Sequence, residues 1–229
     1  MTRLNLATPD LLRKEQGTFD FFGLSEENVE ELVNLPHDPE TIAGLTKFFD
    51  MYNLWDAVEG IVFCLVPFSE IKRVILKGGV LIDDEELDVI GGSVHILLDG
   101  RPIMFLQKET FSLSVFRHEM VHVKQVREGL DTRIGLKRHW MGEPKPDYLT
   151  YGRDLESQYK LPWELEAYAT MYTDEDLKRE HDRILDLIER DVEPEQVALM
   201  RMFYRMIIIP YGRQLPFEVK ILEDELVTS

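Results

Sequence analysis

The stretch "VFRHEMVHVKQ", residues 115–125, limits what this chain can be more than any other. Two histidines stand four apart, with a glutamate directly after the first. On a helix turning about 100° per residue, with His118 at zero, His122 falls at about 40° and Gln125 at about −20°. The three share one face, and two imidazoles one turn apart can both reach a single zinc ion. Glu119 lies on the flank of that face. From there it can reach a water at the metal without binding the metal, as a general base requires. Val115, Phe116, Met120, Val123 and Val126, extended by Leu113 and Leu130, form a broad apolar arc, and Arg117, Lys124 and Glu128 form a narrow polar stripe. The predicted helix is thus buried around most of its circumference yet carries a polar strip of His, His and Gln. Burying such a strip without partners is costly. Either a metal meets it, or the histidines are core residues satisfied by backbone carbonyls.

The surrounding elements give this helix a setting. The spacing predicts helices at "SEENVEELVNL" (25–35) and "DPETIAGLTKFFDMYNLW" (38–55), the second with proline just inside its start. After Gly60 the pattern turns β-like. "IVFCLV" reads as a buried strand, "RVILKGGVLID" as a hairpin around Gly78-Gly79, and "DVIGGSVHILLDGRPIMFLQ" as a second hairpin around Asp99-Gly100. Residues 61–107 therefore predict a small sheet of antiparallel pairs. The motif helix should run from about Ser112 to Glu128 and stop at Gly129. Residues 131–160 read as loop. Pro162 opens "PWELEAYATMY", Thr173 caps a helix to about Arg190, and "EPEQVALMRMFYRMIII" is a last, largely buried helix. The expected organisation is a helical extension over 1–60 followed by a domain over 61–229.

Zinc in a hydrolytic site takes three protein ligands and keeps a fourth position open. Glu128 stands ten residues after His118, the ligand spacing of metzincins, but Gln125 occupies the position where those proteins carry a helix-ending glycine. The helix should therefore continue and carry Glu128 onto the polar stripe. "LPWELEAYAT" resembles the second ligand helix of gluzincin peptidases, whose ligand glutamate often directly precedes a small residue. Glu166, before Ala167, matches, and Glu164 is the alternative on the same helix. Where many gluzincins carry Asp four residues after the ligand, this chain has Thr170.

"HEMVHVKQ" followed by "LPWELEAY" resembles compact zincin-like metallopeptidases, and is similar to small zincin-like proteins of bacteriophage genomes. The resemblance covers about residues 90–172. It implies an α+β zincin fold, a small mixed sheet packed on an active-site helix and a second ligand helix. It implies zinc held by His118, His122 and Glu166, Glu119 as the base, and a protein or peptide substrate. A zincin scaffold without turnover, serving assembly or protein interaction, is the alternative. For the group that would stabilise an oxyanion, Tyr148, Tyr151, Tyr159, Tyr168, His139 and Trp140 lie beside the ligand segments. His95, on a predicted strand, faces either cleft or core. His37 and His181 have polar neighbours that predict exposure.

Composition narrows the partners. A formal charge of −17 disfavours nucleic acid and anionic membrane surfaces, both of which need clustered positive charge. The single cysteine, Cys64, rules out an internal disulfide and sits in an apolar run. With no apolar leader in "MTRLNLATPDLLRKEQ", the expected setting is cytoplasmic.

Overall fold

The computed structural model describes residues 3–15, 30, 37–66, 91–107, 112–135, 137–145, 160–190 and 194–220. The predicted 25–35 helix (apart from residue 30), the predicted hairpin around Gly78-Gly79, and Tyr148, Tyr151 and Tyr159 lie outside these residues. The architecture is α+β, and the chain divides into two compact units, Met1–Ser157 and Gln158–Ser229.

In the first unit, α1 (Pro9–Lys14) and α2 (Pro39–Tyr52) precede β1 (Val62–Val66), β2 (Gly92–Ile96) and β3 (Pro102–Gln107). Asp38 caps α2 by accepting from the amides of Glu40 and Thr41. The expected hairpin forms: β2 and β3 are antiparallel, and Gly100 supplies the turn at φ +83°. β1, by contrast, pairs with β3 in parallel, so the strand order is β1-β3-β2 and the expected purely antiparallel sheet is a mixed one. "VFCLV" is uninterrupted apolar sequence, as suits a strand covered on both faces, and such a run carries no signal of strand direction. The chain near Leu6 adds to the outer edge of β1, where Phe63 donates to Asn5 O at 2.8 Å and accepts from the Ala7 amide at 2.7 Å.

The motif helix is α3 (Leu113–Arg127), capped by Ser112, whose side chain accepts from the Val115 amide, and followed by Gly129 at φ +74°. Phe116 and Val123 from α3 join Leu4, Leu45, Phe49, Phe63, Val94 and Met104 in one core. Residues from the expected 1–60 extension are therefore built into the same core as the sheet, and the contact division falls instead between Ser157 and Gln158.

The segment 131–144, read as loop, is a small antiparallel sheet: β4 (Asp131–Ile134), β5 (Lys137–Trp140) and β6 (Glu143–Pro144). Its strands lack apolar alternation because side-chain ion pairs hold it. Asp131 is buried, accepts from Arg138 at both carboxylate oxygens, and accepts from Lys145 Nζ at 3.0 Å.

In the second unit, α4 (Pro162–Met171), α5 (Asp174–Glu189) and α6 (Pro194–Phe203) lead into one π-helical turn, Tyr204–Ile208. Thr173 caps α5 in a full capping box with Asp176. Leu177, Ile184, Phe203, Tyr204 and Ile207 are buried, and the Tyr204 hydroxyl donates to Leu177 O at 3.2 Å. No helix among the described residues is long and apolar enough to cross a membrane.

Candidate metal centre

α3 is anchored opposite its polar strip. Its apolar arc packs into the core through Phe116 and Val123, with Met120 against the same cluster. That packing fixes the helix rotation and thereby the direction of His118, His122 and Gln125. His122 and Gln125 are buried and His118 is half-buried.

Within the strip, His122 Nδ1 stands 3.0 Å from Gln125 Oε1. A carboxamide oxygen only accepts, so this bond places the neutral ring's proton on Nδ1 and leaves the Nε2 lone pair outward. His122 Nε2 lies 3.2 Å from His118 Nε2. Two nitrogens each 2.0–2.1 Å from one tetrahedral zinc would be separated by about 3.3 Å. The observed spacing suits that chord. It equally suits one proton shared between the rings, so a cation and a proton would compete for the same place. The donor set, two neutral imidazoles with one braced through its second nitrogen, fits zinc chemistry.

Glu119 is buried at 4% exposure on the same helix. Its side chain lies against the start of β2: a Cβ placed on Gly92 would stand 2.9 Å from Glu119 Cγ and 3.2 Å from Oε1. Glu128, the metzincin-spaced carboxylate, is exposed and caps the end of α3.

β2 also brings residues that the motif did not reveal. His95 is buried, its ring lies 5.3 Å from that of Phe105, and a hydrogen bond joins its Nε2 to Ser93 Oγ. Burial first, then the positive charges of Arg138 and Lys145 and the neighbouring His122, hold the His95 imidazole well below its ordinary pKa. It is a neutral side chain at neutral pH. The outward carbonyls of β2 are engaged by guanidinium groups: Arg138 Nη1 donates to Val94 O at 2.8 Å and Arg133 Nη1 to Ile96 O at 3.1 Å. Arg133 also pairs with Glu15, which is buried and accepts from the Leu98 amide at 2.7 Å. A two-strand pattern such as "TRI" and "KRHW" could have signalled the arginines' inward turn only by their alternation with exposed residues, and the strands are too short for that.

The carboxylates singled out in "LPWELEAY" belong to the second unit. Glu164 and Glu166 are both half-buried on α4. Each precedes a fully buried alanine by three residues, Glu164 before Ala167 and Glu166 before Ala169, so burial along α4 does not choose between them. Thr170 donates to Glu166 O at 2.8 Å, so its hydroxyl is turned to the backbone of its own helix. Tyr168 is half-buried on α4, and His139 and Trp140 are half-buried on β5. His37 is partly buried. His181 is not exposed as its neighbours predicted: at 3% exposure it accepts the Lys220 amide at 3.1 Å through Nε2 and packs on Phe217.

A cavity of about 420 Å³ elsewhere, lined by Arg3, Trp55, Asp56, Glu59 and Phe63, includes none of the motif residues. No protein-family profile matches the chain, and neither the curated proteins nor the solved structures contain a match.

Proposed function

We propose that this protein is a zinc-dependent peptidase of zincin-like fold in which His118 and His122 hold the metal and Glu119 handles the proton. The single observation that carries the reading is the pair of Nε2 atoms 3.2 Å apart, one of them presented by the Gln125 brace. For a third ligand the resemblance of "LPWELEAY" points to Glu166, with Glu164 on the same helix as the alternative.

Zinc, when bound, supplies a Lewis acid that polarises the scissile carbonyl and makes water a competent nucleophile near neutral pH. Glu119 takes the proton of the attacking water and passes it to the departing amine, so one carboxylate serves as base and then as acid. The buried Gln125 keeps the His122 ring in one tautomer and one orientation. The intact Glu119 favours an enzyme over a silent scaffold, since a site that only holds metal needs no base.

The test is Glu119→Gln, which keeps size and hydrogen bonding and removes the base. The variant should retain one zinc per chain by elemental analysis and lose peptide-library cleavage by about three orders of magnitude or more. Equal cleavage by both proteins overturns the mechanism. Full zinc occupancy in His118→Ala and His122→Ala overturns the ligand assignment.

A further inference from the structure

Gly92 opens β2, and its place in the alternation puts it on the same face as Val94, which joins Phe116 and Val123 of α3 in the core. That face is directed at the motif helix. At the next inward position along it there is no side chain, and Glu119 fills the space. A Cβ on Gly92 would lie 2.9 Å from Glu119 Cγ, and 3.2 Å from both Cδ and Oε1. The first distance is closer than a real Cβ contact, and the atom it meets is the stem of the side chain rather than a free tip, so the whole carboxylate would have to move.

The backbone gives no other reason for glycine here. Gly92 is absent from the positive-φ glycines, which include Gly60, Gly100, Gly129, Gly135, Gly142 and Gly212. It is an ordinary extended residue in register opposite Leu106. An alanine would suit its φ and ψ, and in a strand alanine loses less conformational entropy on folding than glycine. What excludes a larger residue is the position of Glu119.

We infer that Gly92 is the positioning residue for Glu119: its missing side chain is the slot that holds the carboxylate against the backbone of β2. The inference rests on the reading of Glu119 as the proton-transfer group. A glutamate has three side-chain torsions, and proton transfer in both directions needs the carboxylate held at one distance from water and leaving group. The core packing of Phe116 and Val123 fixes the helix end of this side chain. Gly92 fixes the far side, through a contact that a methyl group would occupy.

The experiment is a double-mutant cycle on the full chain with Gly92→Ala, Glu119→Ala and both together, read by denaturant unfolding and by zinc content, with hydrolysis of a peptide library as a third readout. Alanine at 92 should lower the unfolding midpoint when Glu119 is present and leave it unchanged or raise it when residue 119 is alanine. Zinc content of Gly92→Ala should stay at the parental level, because the histidine pair is untouched. Its kcat should fall about tenfold or more with KM little changed. If Gly92→Ala does not fold but the double variant does, the slot is established by that rescue alone. Equal loss of stability in both backgrounds, or failure of both to fold, overturns the inference, as does a parental kcat in Gly92→Ala. If the parent protein cleaves nothing, the peptidase reading falls, and the unfolding cycle alone decides whether Gly92 sets the position of Glu119.

Discussion

Gln125 is the residue whose role separates a metal centre from a pair of core histidines. It is fully buried, and its carboxamide oxygen faces His122 Nδ1 at 3.0 Å. In a core reading the histidines would be satisfied by backbone carbonyls and Gln125 would be a spectator. In a metal centre it sets the tautomer and aims the opposite nitrogen. Gln125→Leu keeps the volume approximately and removes the acceptor, so zinc affinity should fall by about 10–100-fold with helix content unchanged. Competition against a chromophoric chelator measures this, and a parental affinity would remove Gln125 from the site. This strip was legible in the sequence because a helix repeats every 3.6 residues, and residues one turn apart must share a face. Gly92 was not legible, since its meaning lies in a contact between a strand and a helix that no local spacing encodes. His181 was misread for the same reason: its polar sequence neighbours are exposed, but Phe217 and the Lys220 amide reach it from a later segment.

At the scale of elements, helix ends were read well wherever a side chain closes them. Thr173 caps α5 as expected, and the starts expected near Asp38 and Ser112 are closed by the side chains of those two residues. The capping box of α5 has a consequence in acid. Hydrogen bonds from the Thr173 hydroxyl and amide, with the Arg179 guanidinium beside it, pull the Asp176 carboxyl down to about 2. A carboxylate held below its unfolded pKa adds stability that is complete above the ordinary range near 4 and fades as pH falls towards about 2. Asp176→Ala should cost about 1 kcal/mol at pH 7 and flatten the acid side of the stability profile over that window, as measured by denaturant unfolding at several pH values. The β4–β6 sheet was missed because charge rather than apolar alternation builds it. Asp131 is 1% exposed and gathers Arg138 and Lys145, while Arg138 continues to the Val94 carbonyl of β2. Asp131→Asn removes the anion from a buried cluster and should destabilise the protein by about 3–5 kcal/mol, visible as a lower unfolding midpoint. A loss under about 1 kcal/mol would mean that water, not Asp131, balances Arg138.

For the molecule as a whole, sequence patterning said which faces are buried but not against what, and that is why the boundary expected after residue 60 did not appear as a division of the core. Leu45 and Phe49 show a buried helix face in the sequence. Only the fold shows that Phe49 lies 5.4 Å, ring to ring, from Phe116 of the motif helix. The net charge of −17 shapes the last test at this scale. A chain so acidic repels itself, and any divalent cation will steady it somewhat by screening. A rise in Tm with zinc is therefore informative only against magnesium at the same ionic strength. Specific binding to the folded state adds RT ln(1 + [L]/Kd), about 2.7 kcal/mol when free zinc is 100 times Kd, and screening by magnesium has no such dependence on a single site. The excess of the zinc effect over the magnesium effect should vanish in His118→Ala and in His122→Ala. Of Glu164→Ala and Glu166→Ala, one should lose most of that excess and the other should keep it, which identifies the third ligand by thermal scans alone. If both keep it, α4 supplies no ligand and the zincin assignment of the second helix fails, while the histidine pair stands. If the parent shows no excess of zinc over magnesium, the two imidazoles share a proton and the metal reading fails with them.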